Sequence, residues 1–392
     1  MDGASARSFR QGTRTSVSRL SPPELSLKTA RVLVVDGTTL YRNLITEALA
    51  DIDSAEAVGS APNGSLALKQ LQRLAPDLVL LDAELPEADS LEILRQMLQA
   101  QPETGVVLTS NGSPEATEIA VQALHLGALD IVSKPSRTEI AEQPDRLRAD
   151  LKRLTDASLT KRLVRGMPRS SGSRSATIEK PSRAASRQPE PVQPVVRRSA
   201  TIQAVGIGIS TGGPKALSEI VPRFSASFPV PILLVQHMPE AFTEALTSSL
   251  NTRSAIRVVM GEHGQSLEGG VIYLAPGGRQ MKVVADGTQN RIALTDDPPE
   301  NHCRPAADYL FRSMAEIYGP RSLGVVMTGM GADGREGLRL MKAQGAHTVA
   351  QDEATSLVFG MPMEAIKAGV VDDVVSLDDM ADTIARIVAG NV

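Results

Sequence analysis

Seven side chains in this sequence stand at or just beyond the ends of short apolar runs, and their types sort into two chemistries. Asp36, Asp82, Ser110 and Lys134 follow the runs Arg31–Val35, Asp77–Leu81, Gly105–Leu108 and Leu129–Val132. Two carboxylates brought together can hold Mg²⁺ through oxygen, and one of them can attack a phosphoryl donor. A hydroxyl and an ammonium can then hold the new phosphoryl oxygens. Singly, an Asp after a strand reads as a cap and a Lys before Pro as a surface residue. All four in strand-end order define a phospho-acceptor pocket. The second set is Ser210 after Ala204–Ile209, His237 after Pro231–Val235 and Gln236, and Asp333 in the Gly-rich run Thr328–Gly334 that follows Leu323–Met327.

Gly208-Ile-Ser210-Thr-Gly212 satisfies G-x-S-x-G. Its glycines permit a sharp strand-to-helix turn that exposes the hydroxyl at a helix N-terminus. Backbone N–H groups there, such as that of Thr211, can hold an oxyanion. A plain Gly-rich turn is the alternative. A dinucleotide turn is disfavoured because Thr211 stands where a third Gly belongs, and no G-x-x-x-x-G-K-[ST] loop is present. A serine nucleophile needs a base, and the base an orienting group. Of five histidines, His125 reads as a surface residue, His263 and His347 fall in loop-like contexts, and His302 is ambiguous. His237 shares a sheet edge with Ser210 and is the best base. Asp333 is either a turn residue or the orienting carboxylate. The order Ser, His, Asp differs from the Ser, Asp, His order of α/β-hydrolases.

Elements that position these residues alternate between strand and helix. In the first block, helical spacing predicts helices over 40–49, 91–98 and 115–126, the last closed by Gly127. In the second, helices follow at 215–224 and 338–344, and a further strand at 270–275. Strands alternating with helices predict an α/β fold with two doubly wound parallel-sheet domains. Ligands then bind beyond the carboxyl ends of the strands. Residues 1–29 read as a disordered tail. They carry Arg7, Arg10, Arg14 and Arg19 without the apolar segment of a signal peptide, although an Arg/Ser-rich transit peptide has similar composition. The first domain covers 30–150. Residues 151–199 form the end of a charged helix, read from 138 to 165, and a flexible linker rich in Ser, Arg and Pro. The second domain covers 200–392.

Composition narrows the function classes. Aromatics make up 3% and Trp is absent, so no stacking surface for single-stranded nucleic acid is expected. A net charge of -4 gives no basic footprint, and no helix-turn-helix pattern supports a DNA-binding output. The single cysteine, Cys303, excludes an intramolecular disulfide framework and a multi-Cys zinc site. No apolar run is long enough to span a bilayer. No membrane insertion is expected, and a cytoplasmic location is.

Two family resemblances carry the reading further. Val34-Val-Asp36, Leu-Leu-Asp82-Ala-Glu-Leu-Pro86, Thr-Ser110 and Gly127-Ala-Leu-Asp-Ile-Val-Ser-Lys134-Pro135 resemble the response-regulator receiver family. The resemblance implies that Asp82 is the phospho-acceptor, with Asp36 and Asp82 on a metal, Ser110 as the switch hydroxyl and Lys134 on the phosphate. Receivers carry two acidic residues after the first strand, whereas here Asp36 is followed by Gly37. The usual Asp-Gly beyond the phospho-acceptor is Asp89-Ser90. Losing a ligand predicts weakened Mg²⁺ binding, and sets a phosphorylated site against a receiver fold without phosphotransfer.

Gly-Ile-Ser210-Thr-Gly-Gly-Pro214, Val235-Gln-His237-Met, His302-Cys-Arg-Pro305-Ala-Ala-Asp308 and Met327-Thr-Gly-Met330-Gly-Ala-Asp333-Gly334 resemble the catalytic domain of chemotaxis protein-glutamate methylesterases. That resemblance implies a Ser210–His237–Asp333 triad with an oxyanion site near Met330 and Thr211. Where the family often has Ser, this chain has Ala306. The expected reaction needs no cofactor: methyl esters, and also amides, of receptor glutamyl side chains are hydrolysed. The expected partners are methyl-accepting chemotaxis receptors and a phosphodonor histidine kinase. A non-catalytic signalling scaffold, or a serine hydrolase acting on another substrate, is the alternative.

Overall fold

A computed structural model describes residues 29–86, 88–136, 138, 140, 144–166, 201–287 and 289–390. The expected N-terminal tail and the Ser/Arg/Pro-rich linker lie outside them, apart from residue 29 and the helix that ends at Gly166.

The first sheet is parallel, in the order β2-β1-β3-β4-β5. Its strands are β1 (Ala30–Val35), β2 (Ala55–Ala61), β3 (Leu78–Asp82), β4 (Gly105–Ser110) and β5 (Asp130–Ser133). The near-continuous Val, Leu and Ile runs of β1, β3, β4 and β5 are buried because helices cover both faces. Those helices are α1 (Thr39–Ala50), α2 (Gly64–Leu74), α3 (Ser90–Ala100) and α4 (Pro114–Leu126). In α4, Ser113 Oγ accepts from the Ala116 N–H at 3.1 Å, Pro114 opens the first turn and Gly127 closes the helix at φ 115°. The switch in strand order falls between β1 and β3, so Asp36 and Asp82 flank the crevice where such sheets bind ligands.

The second sheet has seven parallel strands in the order β14-β13-β12-β6-β7-β9-β8. They are β6 (Ala204–Ile209), β7 (Ile232–Gln236), β8 (Arg257–Met260), β9 (Val271–Leu274), β12 (Ser322–Val326), β13 (His347–Gln351) and β14 (Asp373–Val375). Growth runs outward in both directions from β6, which puts the switch point between β6 and β12. A separate antiparallel hairpin joins β10 (Gln280–Asp286) to β11 (Gln289–Thr295), and was not anticipated from the sequence.

The charged helix after β5, here α5, runs Pro144–Gly166, and residues 138 and 140 ahead of it are also helical. It belongs to the first core: Leu147, Leu151 and Leu154 bury among Val32, Val34, Ile45 and Leu49. Two later helices, α6 (Gly213–Ile220) and α7 (Glu240–Arg253), receive α4 across the domain boundary. Apolar packing is continuous from Leu108 and Val121 to Leu217, Phe242 and Leu246. His125, expected at the surface, is half-buried in this contact, with Nε2 3.1 Å from Ser249 Oγ. Burial, with Arg253 nearby, holds its imidazole below the ordinary value.

Leu151→Ala should destabilise the receiver by about 2–5 kcal/mol, because Leu151 is fully buried against that core. Urea unfolding followed by hydrogen exchange of β1 and β3 amides would read it. Loss confined to the second domain would refute this packing.

Candidate active site and phospho-acceptor pocket

Ser210 is the first residue after β6, and its N–H donates to Thr328 O at 2.9 Å. The turn that follows is fixed by close approach. A Cβ on Gly213 would come within 1.9 Å of Gln236 Oε1, so only glycine lets the chain enter α6 there. Gln236 Nε2 donates to the carbonyls of Ser210 and His237 at 3.1 and 3.0 Å, which locks the ends of β6 and β7 together. Neither this glutamine nor its role is legible in the sequence. Thr328 Oγ1 ties the β12 loop to Thr211 O at 3.0 Å. Among the described residues, the backbone N–H groups of Thr211 and Met330 have no bonded acceptor.

His237 and Asp333 meet directly. His237 Nε2 lies 2.7 Å from Asp333 Oδ2, and both side chains are buried. Asp333 Oδ2 also accepts from the Ala307 N–H at 2.6 Å, and Oδ1 from the Asp308 N–H and Asn301 Nδ2, each at 3.0 Å. Ala307 opens helix α8 (Ala307–Tyr318), so the carboxylate caps its positive end. Burial alone would raise the Asp333 pKa. The hydrogen bond and charge of His237, with the two backbone donors, outweigh it and hold the carboxyl below its ordinary value. Asp308 moves the other way, to about 6, through burial and the Asp333 charge.

Because Asp333 occupies Nε2, the nitrogen left for proton transfer is Nδ1. Its neighbour is Cys303 Sγ at 3.5 Å. None of the hydrogen bonds among the described residues joins Ser210 Oγ to His237. Burial would lower the imidazole pKa, but negative charge on the Cys303 sulfur, with the Asp333 hydrogen bond and charge, raises it to about 10. Cys303 lies within the His302–Asp308 motif, and nothing in the sequence assigns it a role. His302 turns outward at φ 63°, His263 faces Leu294 on the hairpin, and His347 Nε2 pairs with Asp373 at 2.8 Å on the far edge of the sheet.

In the receiver, Lys134 Nζ lies 2.6 Å from Asp36 Oδ2 and 2.7 Å from Asp82 Oδ1. Apart from this ion pair, the buried Asp36 Oδ2 has no hydrogen-bond partner. Ser110 Oγ accepts from the Gly112 N–H at 3.2 Å. Thus Asp36, Asp82, Ser110 and Lys134 converge at one end of the sheet. At Gly37 a Cβ would fall 2.5 Å from Pro86 Cδ, so an acidic side chain there would require the loop to move. Two carboxylates, one with a buried oxygen held only by the Lys134 ion pair, fit a Mg²⁺ that keeps most of its water shell.

Arg153 makes a polar contact between the two domains. Arg153 of α5 donates to Thr211 Oγ1 at 3.3 Å, beside the nucleophile candidate. Its guanidinium also lies 3.7 Å from Asp130 of β5, whose pKa burial raises.

A receiver joined to a serine-hydrolase sheet is thus the class defined by fold and site. The response regulator receiver model matches residues 32–143, and the CheB methylesterase model matches 205–384. A protein-glutamate methylesterase/protein-glutamine glutaminase of Desulfotalea psychrophila is 38% identical over 92% of this chain and 99% of its own. One named for a group 3 operon in Rhodopseudomonas palustris is 39% identical over 89% and 94%. The Thermotoga maritima CheB methylesterase catalytic domain is 35% identical, covering 48% of this chain and all of that one, with a TM-score of 0.47. This chain belongs to the protein-glutamate methylesterase/protein-glutamine glutaminase family.

If His237 must be neutral to accept a proton, a raised pKa places the rise of kcat/KM for ester hydrolysis on the alkaline side. Cys303→Ala removes one raising influence, so in metal-free buffer that rise should move to lower pH. A rise that stays in place, or moves up, would show that the sulfur does not act on the imidazole.

Proposed function

We propose that this protein hydrolyses γ-methyl esters of glutamyl side chains on methyl-accepting chemotaxis receptors, with glutamine deamidation by the same route. The observation that carries the reading is that Ser210, His237 and Asp333 lie beyond the ends of three neighbouring strands, β6, β7 and β12, with His237 bonded to Asp333. Ser210 Oγ attacks the ester carbonyl, and His237 Nδ1 accepts its proton once substrate draws the two groups within bonding reach. The Thr211 and Met330 N–H groups hold the oxyanion. The C–OCH₃ bond breaks, and the imidazolium returns its proton to methanol. Water, deprotonated by the same nitrogen, attacks the acyl-enzyme, and the proton goes back to Ser210. A glutamine side chain loses ammonia instead. Asp333 fixes the tautomer and stabilises the imidazolium.

Purified protein should release methanol from methylated receptor membranes, and a fluorophosphonate should label Ser210. Ser210→Ala should abolish both. Asp333→Asn should lower kcat by about 10³–10⁴, as the wrong tautomer is then favoured. Methanol release that survives Ser210→Ala would sink the triad. Labelled Ser210 without methanol release would point to a hydrolase acting on another substrate.

Regulation falls to the receiver, with Asp82 accepting a phosphoryl group from a histidine kinase. Asp36 and Asp82 are the residues that would hold Mg²⁺, which neutralises phosphoryl charge when bound. With Gly37 in place of a third carboxylate, its affinity is low. New phosphoryl oxygens compete for Lys134 and Ser110, which sit at the ends of β5 and β4 next to α4 and α5. Loosening α5 withdraws Arg153 from Thr211. These partners place the protein at the cytoplasmic face of receptors. Among the described residues no helix is long and apolar enough to cross a membrane.

Arg153→Ala should raise the unstimulated rate several-fold, and Asp82→Asn should remove stimulation by a small-molecule phosphodonor. Stimulation should need Mg²⁺ well above the concentration that saturates a receiver with two acids after β1. An unchanged basal rate in Arg153→Ala would detach the Arg153–Thr211 contact from regulation.

A further inference from the structure

We propose that Cys303 Sγ and His237 Nδ1 together bind a thiophilic divalent cation such as Zn²⁺, and that its binding switches the hydrolase off by taking the base. The two atoms are 3.5 Å apart. At a tetrahedral zinc with Zn–S about 2.3 Å and Zn–N about 2.0–2.1 Å, ligand sulfur and nitrogen lie about 3.5–3.6 Å apart. The pair is therefore at the spacing of two zinc ligands without rearrangement. Asp333 completes the arrangement from behind. It holds Nε2 at 2.7 Å, as a carboxylate commonly orients a zinc-bound imidazole through the other ring nitrogen. The ligand atoms of His237, Cys303 and Asp333 all lie within 4.8 Å of one another.

The thiol is held in place by its own backbone. Cys303 N–H donates to Glu300 O at 2.7 Å, Glu300 N–H donates to Cys303 O at 3.0 Å, and Gln280 Nε2 reaches Cys303 O at 3.3 Å. Between them, Asn301 and His302 take left-handed backbone at φ 50° and 63°, which closes the turn and points Cys303 toward the imidazole. Cys303 is half-buried, so a hydrated ion has access, and waters fill the remaining coordination positions. Binding displaces to solvent the proton that the Cys303–His237 pair holds and engages the Nδ1 lone pair, so the Ser210 proton has no acceptor. Nothing is oxidised or reduced. The inference rests on the position of the triad residues, not on which ester is cleaved.

Cobalt(II) titration of the full-length protein tests binding without reference to activity. Cys303 is the only cysteine, so a thiolate-to-cobalt charge-transfer band reports on this residue alone. A band saturating at one equivalent, displaced by Zn²⁺ and absent in Cys303→Ala, is expected. Zn²⁺ should also inhibit methanol release, reversibly by chelator. Its half-inhibitory concentration should rise about tenfold or more in Cys303→Ala, normalised to that variant's own metal-free rate, and cobalt affinity should fall about 10–100-fold in Asp333→Asn. Cys303→Ser, which keeps the side-chain shape, serves the same comparison if the Ala variant does not fold. No charge-transfer band, or equal zinc inhibition of wild type and both cysteine variants, would overturn the proposal. Should the protein cleave no methyl ester, the cobalt band still decides the metal site while the functional reading fails separately.

Discussion

The Asp333 carboxylate is the junction on which the catalytic end of the second domain depends. It takes bonds from the imidazole of His237, from two N–H groups at the start of α8 and from Asn301. A buried carboxylate without such donors would take up a proton. Here four donors and the helix end keep it charged, so it can hold a cationic imidazole. The cost is passed to Asp308, which is buried beside that charge and has its pKa raised. Asp308 offsets this by accepting from the Gly337 N–H at 2.6 Å and from Asn301 at 2.9 Å. One negative charge thereby fixes helix α8, the 301–303 turn and the base in a single arrangement.

The receiver pocket answers the same electrostatic problem in another way. Two buried carboxylates at the ends of β1 and β3 are balanced by one ammonium bridging both, leaving one net negative charge. A phosphoryl group on Asp82 would change that balance. The change can travel because Lys134 and Asp130 sit at opposite ends of the four-residue strand β5, and Asp130 lies against Arg153. Apolar contact of α4 with α6 and α7 makes the two domains one packed unit on that side, so a shift of α4 is felt at the helix that begins three residues after Ser210.

Strand-end chemistry was legible in the sequence because parallel strands covered on both faces read as unbroken Val/Ile/Leu runs, and the residue after each run must lie at the functional edge. Asp36, Asp82, Ser110, Lys134, Ser210 and His237 are all of this kind. Asp333 lies seven residues past the end of β12, and its place needed the family resemblance. Strand β2 was not legible. Its sequence, Ala-Glu-Ala-Val-Gly-Ser-Ala, has little β-branched character and lies at the sheet edge. Cys303, Gln236 and Arg153 were not legible either, for a different reason. Each acts through a partner 26 to 66 residues away, set by tertiary packing and not by any local period.

The choice of imidazole nitrogen follows from the order of the strands. His237 leaves the end of β7 with its backbone N–H bonded to Ile209 O, and Asp333 arrives from beyond β12. Strand β6 lies between them, and neighbouring strands are about 4.8 Å apart. The ring must therefore span the strand that carries Ser210. Only Nε2, at the far tip of the imidazole, reaches a carboxylate two strands away. Nδ1, nearer the backbone, is left as the free nitrogen on the His237 side of the cleft. Whatever residue stands at 303 meets that nitrogen, so this position has direct leverage on the base.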